Sequence, residues 1–245
     1  MNARPIIEAK GLTKRYGALV ALDGVDLEVQ PGESLAIFGP NGAGKTTMTR
    51  ILASSLKASA GTLRIAGRDP RVHDRETRAM IGLISHQTFL YDDLTARENL
   101  LFFARLYAAH DAEARADTLL RSLGLIDRAE DLVRTFSRGM QQRLSLARSL
   151  IHEPQIVFLD EPFTGLDPHA ATVLQCTLER LRGERRTLLV TTHDLGRGLD
   201  LSDRWVILSK GRLAAQGLSR EADRATFESS YFAHLAASRR VGATA

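Results

Sequence analysis

The chain has 245 residues, of which 44% are hydrophobic and 25% are charged, a composition that excludes the disordered and fibrous classes and allows one compact domain. The net charge of +4 is small for this length and gives no reason to expect nucleic-acid binding. Cys176 is the single cysteine, which excludes an intrachain disulfide and a cysteine-based zinc site and fits a reducing compartment.

The first thirty residues have the pattern of an antiparallel sheet. Residues 6–10 and Leu19–Val29 alternate apolar and polar positions, and Gly11, Gly17 and Gly24 interrupt the alternation. Alternation of this kind is typical of strands with one buried face, and glycines commonly end such strands. The sequence therefore predicts an antiparallel edge sheet whose strands break at the glycines.

Farther along the chain, short apolar runs of strand character alternate with segments of helical period, which predicts an α/β domain with a mostly parallel core sheet. The predicted core strands span residues 34–38, 81–85, 155–159, 187–191 and 205–208. Between residues 94 and 151 the strand pattern is absent, and apolar residues such as Leu100, Phe103 and Tyr107 recur at helical spacing. We therefore predict a helical insertion in the sheet domain.

A glycine-rich loop follows the first core strand and matches the phosphate-loop pattern G-x-x-x-x-G-K-[ST]. The candidate phosphate-binding residues of this loop are Gly39, Pro40, Asn41, Gly42, Ala43, Gly44, Lys45, Thr46 and Thr47. Glycines let backbone N–H groups turn towards phosphate oxygens, and the Lys45 ammonium reaches the terminal phosphates. The Thr46 hydroxyl is a candidate ligand of Mg²⁺. The alternative is a glycine turn with an exposed lysine, but the strand-loop-helix context favours phosphate binding.

Two adjacent carboxylates follow the apolar strand at residues 155–159. P-loop enzymes hold their metal with an aspartate at the end of such a strand, so Asp160 is a candidate Mg²⁺ ligand. Glu161 is expected to point to the opposite side and to polarise the attacking water as a general base. Alone, an Asp-Glu pair after a strand is most often a polar turn, and the phosphate loop upstream favours the catalytic interpretation.

A third motif, Phe-Ser-Arg-Gly-Met-Gln-Gln-Arg at residues 136–143, precedes this strand. It resembles the signature of the ATP-binding cassette (ABC) family, and the resemblance extends from about residue 6 to residue 217. The resemblance implies that four residues cap the γ-phosphate of ATP held by a second subunit, namely Ser137, Arg138, Gly139 and Met140. Arg138 and Met140 depart from the commonest signature, in which glycine and glutamine stand there. The alternative is an ordinary amphipathic helix with Ser137 as its N-cap.

The resemblance also assigns roles to single residues elsewhere. Tyr16 would stack on the adenine, and Asp167 would lie in the loop that crosses the dimer interface. Gln87 would contact the metal and the attacking water, and His193 would contact the γ-phosphate. Glu161, His193 and Gln87 are therefore the catalytic candidates, and the metal candidates are Thr46, Gln87 and Asp160. Without the resemblance, Tyr16 would be interpreted as an edge-strand tyrosine and Asp167 as part of a turn into a helix. Gln87 would be interpreted as a surface glutamine and His193 as a structural histidine.

The implied fold is that of a P-loop NTPase of the ABC ATPase type, with a mostly parallel core sheet, an antiparallel N-terminal β-subdomain and an inserted α-helical subdomain. A single domain would span residues 1–220. Residues 1–90 and 152–220 would form the nucleotide-binding core with the β-subdomain, and residues 91–151 would form the helical signature subdomain. Residues 221–245 are rich in arginine and alanine and are predicted to form a helical tail.

The expected partners follow from the family. The chain would pair head to tail with itself or a related subunit, use ATP and Mg²⁺, and lie at the cytoplasmic face of the cell membrane. No window approaches the roughly 20 apolar residues of a membrane span, and residues 1–10 lack the apolar stretch of a secretory signal, so separate permease subunits would cross the bilayer. They would dock near residues 91–100. We expect Phe102 and Phe103 to serve the local core; an exposed groove for the partner is the alternative.

Several functional alternatives stay open. A soluble cassette protein acting on ribosomes or DNA would typically carry paired cassettes, long coiled coils or zinc inserts. A small P-loop kinase or GTPase would not need the motif at residues 136–143. Among transporters, the motifs look most like exporter subunits, including the haem-exporter ATPase of cytochrome c maturation, with drug, lipid and polysaccharide exporters as alternatives. No nucleic-acid partner is expected.

Overall fold

The computed structural model describes residues 4–85, 87–224 and 226–232, which form two β-sheets flanked by helices. The strands are β1 (Ile7–Tyr16), β2 (Leu19–Val29), β3 (Ser34–Phe38), β4 (Ala60–Ile65), β5 (Ile81–Ile84), β6 (Ile156–Asp160), β7 (Thr187–Thr191), β8 (Arg204–Ser209) and β9 (Arg212–Leu218). The α-helices are α1 (Lys45–Leu52), α2 (Asp74–Ala79), α3 (Ala96–Leu106), α4 (Ala112–Ser122), α5 (Arg138–Leu150), α6 (Pro168–Gly183) and α7 (Leu195–Asp200).

The larger sheet has the strand order β5-β6-β7-β3-β8-β9. All its pairings are parallel except that of β8 with β9. Every residue of β3, β6 and β7 is buried, as expected for apolar strands covered by helices on both faces. Because β3, β6 and β7 run parallel, the residues that follow their carboxyl ends meet at one edge of the sheet. The predicted core strands are confirmed to within one residue at each end.

The smaller sheet is antiparallel, with the order β2-β1-β4. The prediction that its strands break at glycines is wrong for Gly11 and Gly24, which lie inside β1 and β2 with φ values of +60° and +67°. The register between the two strands shifts beside both glycines. Left-handed glycines of this kind form β-bulges, which bend a strand without ending it. Gly17 does lie in the turn between β1 and β2.

The predicted helical insertion is present as α3, α4 and α5. Their apolar faces share a core with β6, including Leu100, Leu120, Leu144 and Val157. Thr95 caps the start of α3 with a capping box: its hydroxyl accepts a hydrogen bond from the Glu98 N–H, and the Glu98 carboxylate accepts one from the Thr95 N–H. Among the described residues, no helix is long and apolar enough to cross a membrane.

The last described segment packs against the larger sheet. Residues 226–232 are helical, and the predicted tail beyond them, residues 233–245, lies outside the described residues. Phe227 and Tyr231 are buried in a cluster with Phe38. The Phe227 ring lies 5.3 Å from that of Phe38 and 4.8 Å from that of Trp205, measured between centroids. The helix therefore covers the strand that leads into the phosphate loop.

Candidate functional site

The phosphate loop is held against the sheet by close contacts that only glycine permits. A Cβ on Gly39 would lie 2.4 Å from the Leu208 carbonyl oxygen, and one on Gly44 would lie 2.5 Å from the Ala21 carbonyl oxygen. Gly44 also has a φ of +105° and immediately precedes α1. The loop therefore turns tightly into the helix, and the first N–H groups of α1 face the loop cavity.

Lys45 lies at the start of α1 and is almost fully buried. Its ammonium donates hydrogen bonds to the carbonyl oxygens of Gly39 (2.7 Å) and Pro40 (3.3 Å). It also lies 3.6 Å from the Glu161 carboxylate. The Lys45 side chain therefore brings its N–H donors into the loop, beside the Glu161 carboxylate.

Asp160 ends β6 and is 1% exposed. One carboxylate oxygen, Oδ1, accepts a 2.6 Å hydrogen bond from the Thr191 hydroxyl. The other, Oδ2, is buried and has no hydrogen-bond partner among the described residues. Leaving a buried carboxylate oxygen unpaired is costly, and Mg²⁺ prefers such oxygens. Asp160 therefore fits a Mg²⁺ ligand, and Thr46, in the first turn of α1, has an exposed hydroxyl at the phosphate-loop cavity.

Glu161 follows Asp160 with a φ of +52°, a conformation that is uncommon for glutamate. Its backbone N–H donates to the Thr191 carbonyl oxygen at 3.0 Å, which fixes the strained turn. Its carboxylate contacts Lys45 and lies 2.8 Å from Nδ1 of His193. The carboxylate is thus oriented from two sides beside the phosphate loop, as a general base for a bound water must be.

A cavity of about 340 Å³ brings most of the predicted nucleotide-binding residues together. Its lining includes Tyr16, Pro40, Asn41, Gly42, Gly44, Lys45, Thr46, Thr47 and Glu161. Gly39 and Ala43 belong to the same loop but are buried and do not line the cavity; Ala43 is 2% exposed. Tyr16 is 46% exposed at the rim, with the Lys14 ammonium 5.1 Å from its ring centroid. The Tyr16 ring is therefore available to a planar base at the mouth of the cavity.

The signature residues lie apart from this cavity. The Ser137 side chain caps α5 by accepting a 3.3 Å hydrogen bond from the Met140 N–H. Asp167 caps α6 through the Ala170 N–H at 2.8 Å. A Cβ on Gly139 would lie 3.4 Å from the Asp167 carboxylate, so the two predicted interface segments touch within one chain. Ser137, Arg138, Gly139 and Met140 do not line the cavity.

Two further predicted residues lie at the same edge of the sheet. Gln87 is exposed beyond β5, and its carbonyl oxygen accepts a hydrogen bond from the Ser85 hydroxyl. Its side chain does not line the cavity. The His193 side chain is 67% exposed and contacts Glu161. The assignment of both residues to the γ-phosphate and the water stays a prediction.

Sequence reasoning missed Thr191, which links the two carboxylate residues. Its hydroxyl donates to Asp160 Oδ1 at 2.6 Å and lies 3.2 Å from the Glu161 N–H. The available signal was a hydroxyl residue at the end of a buried apolar strand. This signal could not be interpreted without knowing that β7 pairs with β6, because this pairing places Thr191 opposite Asp160.

The comparisons with known proteins agree with this geometry. The family model described as ABC transporter matches residues 22–164. The chain is 42% identical over 217 residues to the daunorubicin resistance ATP-binding protein DrrA3 of Streptomyces coeruleorubidus, covering 88% of this chain and 69% of that protein. It is 38% identical over 222 residues to the Nod factor export ATP-binding protein I of Burkholderia thailandensis, covering 90% and 73%.

Solved structures confirm the predicted fold class. An ATP-binding subunit of an ABC transporter matches with a TM-score of 0.84 and 29% identity, covering 93% of this chain and 99% of that one. A dimeric ATP-binding cassette in a post-hydrolysis state, bound to ADP and phosphate, matches with a TM-score of 0.80 and 27% identity, covering 88% and 100%. The chain therefore belongs to the ABC transporter family, as one of its ATP-binding, ATP-hydrolysing subunits.

Proposed function

We propose that the chain hydrolyses ATP as a head-to-tail dimer, at sites that combine the phosphate loop of one copy with the signature of the other. The observation that carries this proposal is the separation of the two motifs. Ser137 and Arg138 are exposed at the start of α5, outside the cavity that contains Lys45 and Glu161. A helix N-terminus is suited to an anion, and a second copy brings it to the γ-phosphate.

Within each site, the residues have separate tasks. Lys45 and the loop N–H groups bind the phosphates, and Tyr16 stacks on the adenine. Glu161 accepts the proton of the attacking water, and His193, whose Nδ1 lies 2.8 Å from the Glu161 carboxylate, contacts the γ-phosphate. Asp160 and Thr46 would hold Mg²⁺, with Gln87 as a further contact, and a bound Mg²⁺ would neutralise charge on the transferred phosphoryl group. Because residues of two copies bind one ATP, its hydrolysis weakens the contact between the copies, and the dimer opens.

The opening and closing of the dimer powers a separate permease. The permease docks on an aromatic patch, defined here as the aromatic residues Phe89, Tyr91 and Phe102 together with the exposed Leu106. These side chains are 51%, 49%, 41% and 63% exposed and follow the Gln87 loop. Phe103 is buried, as expected, whereas Phe102 is not and stacks edge to face on Tyr91. Exposed apolar patches of this kind are typical of protein interfaces. Docking there holds the chain at the cytoplasmic face of the membrane.

The direction of transport is export. Two relatives support this proposal, one named for daunorubicin resistance and the other for Nod factor export. The permease selects the cargo, so drugs, lipids and polysaccharides remain alternatives. The haem-exporter assignment stays a prediction that neither of these relatives supports. The exposed aromatic patch favours a membrane partner over a ribosome or DNA, whose binding would call for a basic surface.

ATP turnover and gel filtration of three variants test the dimer. Glu161→Gln should lower turnover by at least about 100-fold and accumulate an ATP-dependent dimer, because ATP still binds and is not cleaved. Lys45→Ala should lose nucleotide affinity and stay monomeric. Glu179→Gln is the matched control, since Glu179 is an exposed carboxylate on α6. A Glu161→Gln protein that stays monomeric in saturating ATP would contradict the two-copy site.

Photocrosslinking from position 102 tests the partner. A photoactivatable phenylalanine analogue at Phe102 should capture an integral membrane protein in intact membranes. The same analogue at Phe232, which is 55% exposed on the C-terminal helix, is the control and should not. Capture of ribosomal proteins or DNA from position 102 would favour the soluble alternative instead.

A further inference from the structure

A second cavity, of about 290 Å³, lies beside the aromatic patch and apart from the phosphate loop. It opens between the end of α1, strand β5 and helix α5. Its lining includes Ser54, Arg78, Phe89, Tyr107, Arg148 and His152. Phe89 belongs to both the cavity and the aromatic patch, so the two are continuous.

The cavity contains a buried cation, Arg148, that has no counter-ion among the described residues. Arg148 is 9% exposed, and its Nη2 donates a 2.8 Å hydrogen bond to the Leu83 carbonyl oxygen. Its guanidinium lies 5.1 Å from the Phe103 ring centroid and 5.5 Å from that of Phe89. Nε is buried without a hydrogen-bond partner, and no carboxylate of the described residues pairs with the guanidinium. An uncompensated buried cation is unfavourable, so an anionic partner would be favoured there.

Burial is severe enough to lower the pKa of Arg148 to about 10. Desolvation disfavours the charged form, and this loss is recovered when a carboxylate enters the same space. Arg78, the other guanidinium of the cavity, is already paired with Asp74 at 2.8 Å and is more than half exposed. Arg148 is therefore the group that an incoming anion would satisfy.

Two further polar atoms of the cavity have no hydrogen-bond partner in the described part of the chain. The His152 ring is stacked on Tyr107 with centroids 4.0 Å apart, and its Nε2 lies 3.0 Å from the Ile81 carbonyl oxygen. Nε2 therefore carries the hydrogen, which makes Nδ1 an acceptor. His152 Nδ1 and Ser54 Oγ are both buried without a hydrogen-bond partner among the described residues. The cavity thus offers a cation, an acceptor and a hydroxyl to one occupant.

We propose that this cavity binds an Asp or Glu side chain of the permease segment that docks on the aromatic patch. This inference rests on the proposed function and adds the chemistry of the contact. The carboxylate accepts from Arg148 Nε, and an N–H or hydroxyl of the same segment donates to His152 Nδ1. Continuity with the patch means that one segment reaches both.

The test supplies a carboxylate from within the chain. Arg148 packs between two rings, so replacing it would also disturb packing; Ser54 is changed instead. Ser54 has a φ of +56°, a conformation in which Asp and Asn are enriched. Ser54→Asp places a charge in the cavity, and Ser54→Asn is the uncharged control of the same shape. In the isolated chain, Ser54→Asp should unfold at higher temperature than Ser54→Asn, with equal basal ATP turnover.

The second readout uses detergent-solubilised complexes with the permease identified by crosslinking from position 102. Wild type and Ser54→Asn should retain the permease, and Ser54→Asp should retain at least tenfold less. Changing one acidic residue of the crosslinked permease segment to its amide should cause a similar loss. If both Ser54 variants retain the permease equally, or if Ser54→Asp is no more stable than Ser54→Asn, the proposed carboxylate site is wrong and the proposed function is unaffected. If the wild-type chain retains no permease, both the carboxylate site and the proposed function are wrong.

Discussion

Acid should destabilise this chain through His152 in a way that an exposed histidine does not reproduce. Burial lowers the pKa of His152 from 6.5 to about 4, because the charged ring would lose its hydration. The unfolded chain therefore binds a proton at His152 between these two values, while the folded chain does not. The free energy of unfolding consequently falls as the pH drops from about 6.5 to 4.

The size of this effect follows from the pKa difference. One pKa unit corresponds to about 1.4 kcal/mol. With the folded pKa at about 4, His152 protonation removes about 2 kcal/mol of the free energy of unfolding at pH 5 and about 3 kcal/mol at pH 4. At pH 7.5 the ring is neutral in both states, so the contribution there is close to zero. This change in the free energy of unfolding is a substantial part of the roughly 5–15 kcal/mol that stabilises an ordinary domain.

Urea unfolding at a series of pH values measures this contribution. His152→Phe keeps the stacking on Tyr107 and removes the titrating group, at a fixed packing cost. The difference in free energy of unfolding between wild type and His152→Phe should shift by about 2 kcal/mol between pH 7.5 and 5. His110→Phe, at an exposed histidine, is the control and should show no comparable shift. A His152→Phe difference that is independent of pH would refute the reasoning.

Three further predictions concern the site and its support. Gly39→Ala should abolish binding of a fluorescent ATP analogue, because its Cβ would lie 2.4 Å from a carbonyl oxygen, whereas Gly183→Ala, in open space, should bind normally. Thr191→Val should lower ATP turnover by roughly 10- to 100-fold in steady-state assays, since it removes the hydroxyl that orients Asp160, the proposed Mg²⁺ ligand. Phe227→Ala should lower the free energy of urea unfolding by about 3 kcal/mol or more, and exposed Phe232→Ala should change it little.

The sequence predicts that the phosphate loop, the two carboxylates and His193 lie close together, because they stand at the ends of strands of one parallel sheet. The loop after β3, the carboxylates at the end of β6 and His193 after β7 must share an edge once those strands are parallel, whatever their order. The order β5-β6-β7-β3-β8-β9 depends on long-range pairing that no local pattern encodes. Thr191 was missed for this reason, since only the pairing of β7 with β6 brings it to Asp160.

Other features depend on packing between distant segments. Ser54, Arg148 and His152 come from two parts of the chain and meet only after α5 packs on β5. In the sequence, each is an ordinary member of a helix or loop. Gly11 illustrates a different limit, because a glycine that ends one strand and a glycine that bends another look alike until the register is known.

The central claim is that one ATP is held by two copies of this chain. A crystal structure of Glu161→Gln with ATP and Mg²⁺ tests it most directly. We predict that Ser137 Oγ of one copy lies about 3 Å from a γ-phosphate oxygen of the nucleotide bound to Lys45 of the other. A nucleotide whose γ-phosphate is contacted by residues of one copy alone, with Ser137 of every neighbouring copy beyond hydrogen-bond distance, would contradict the account.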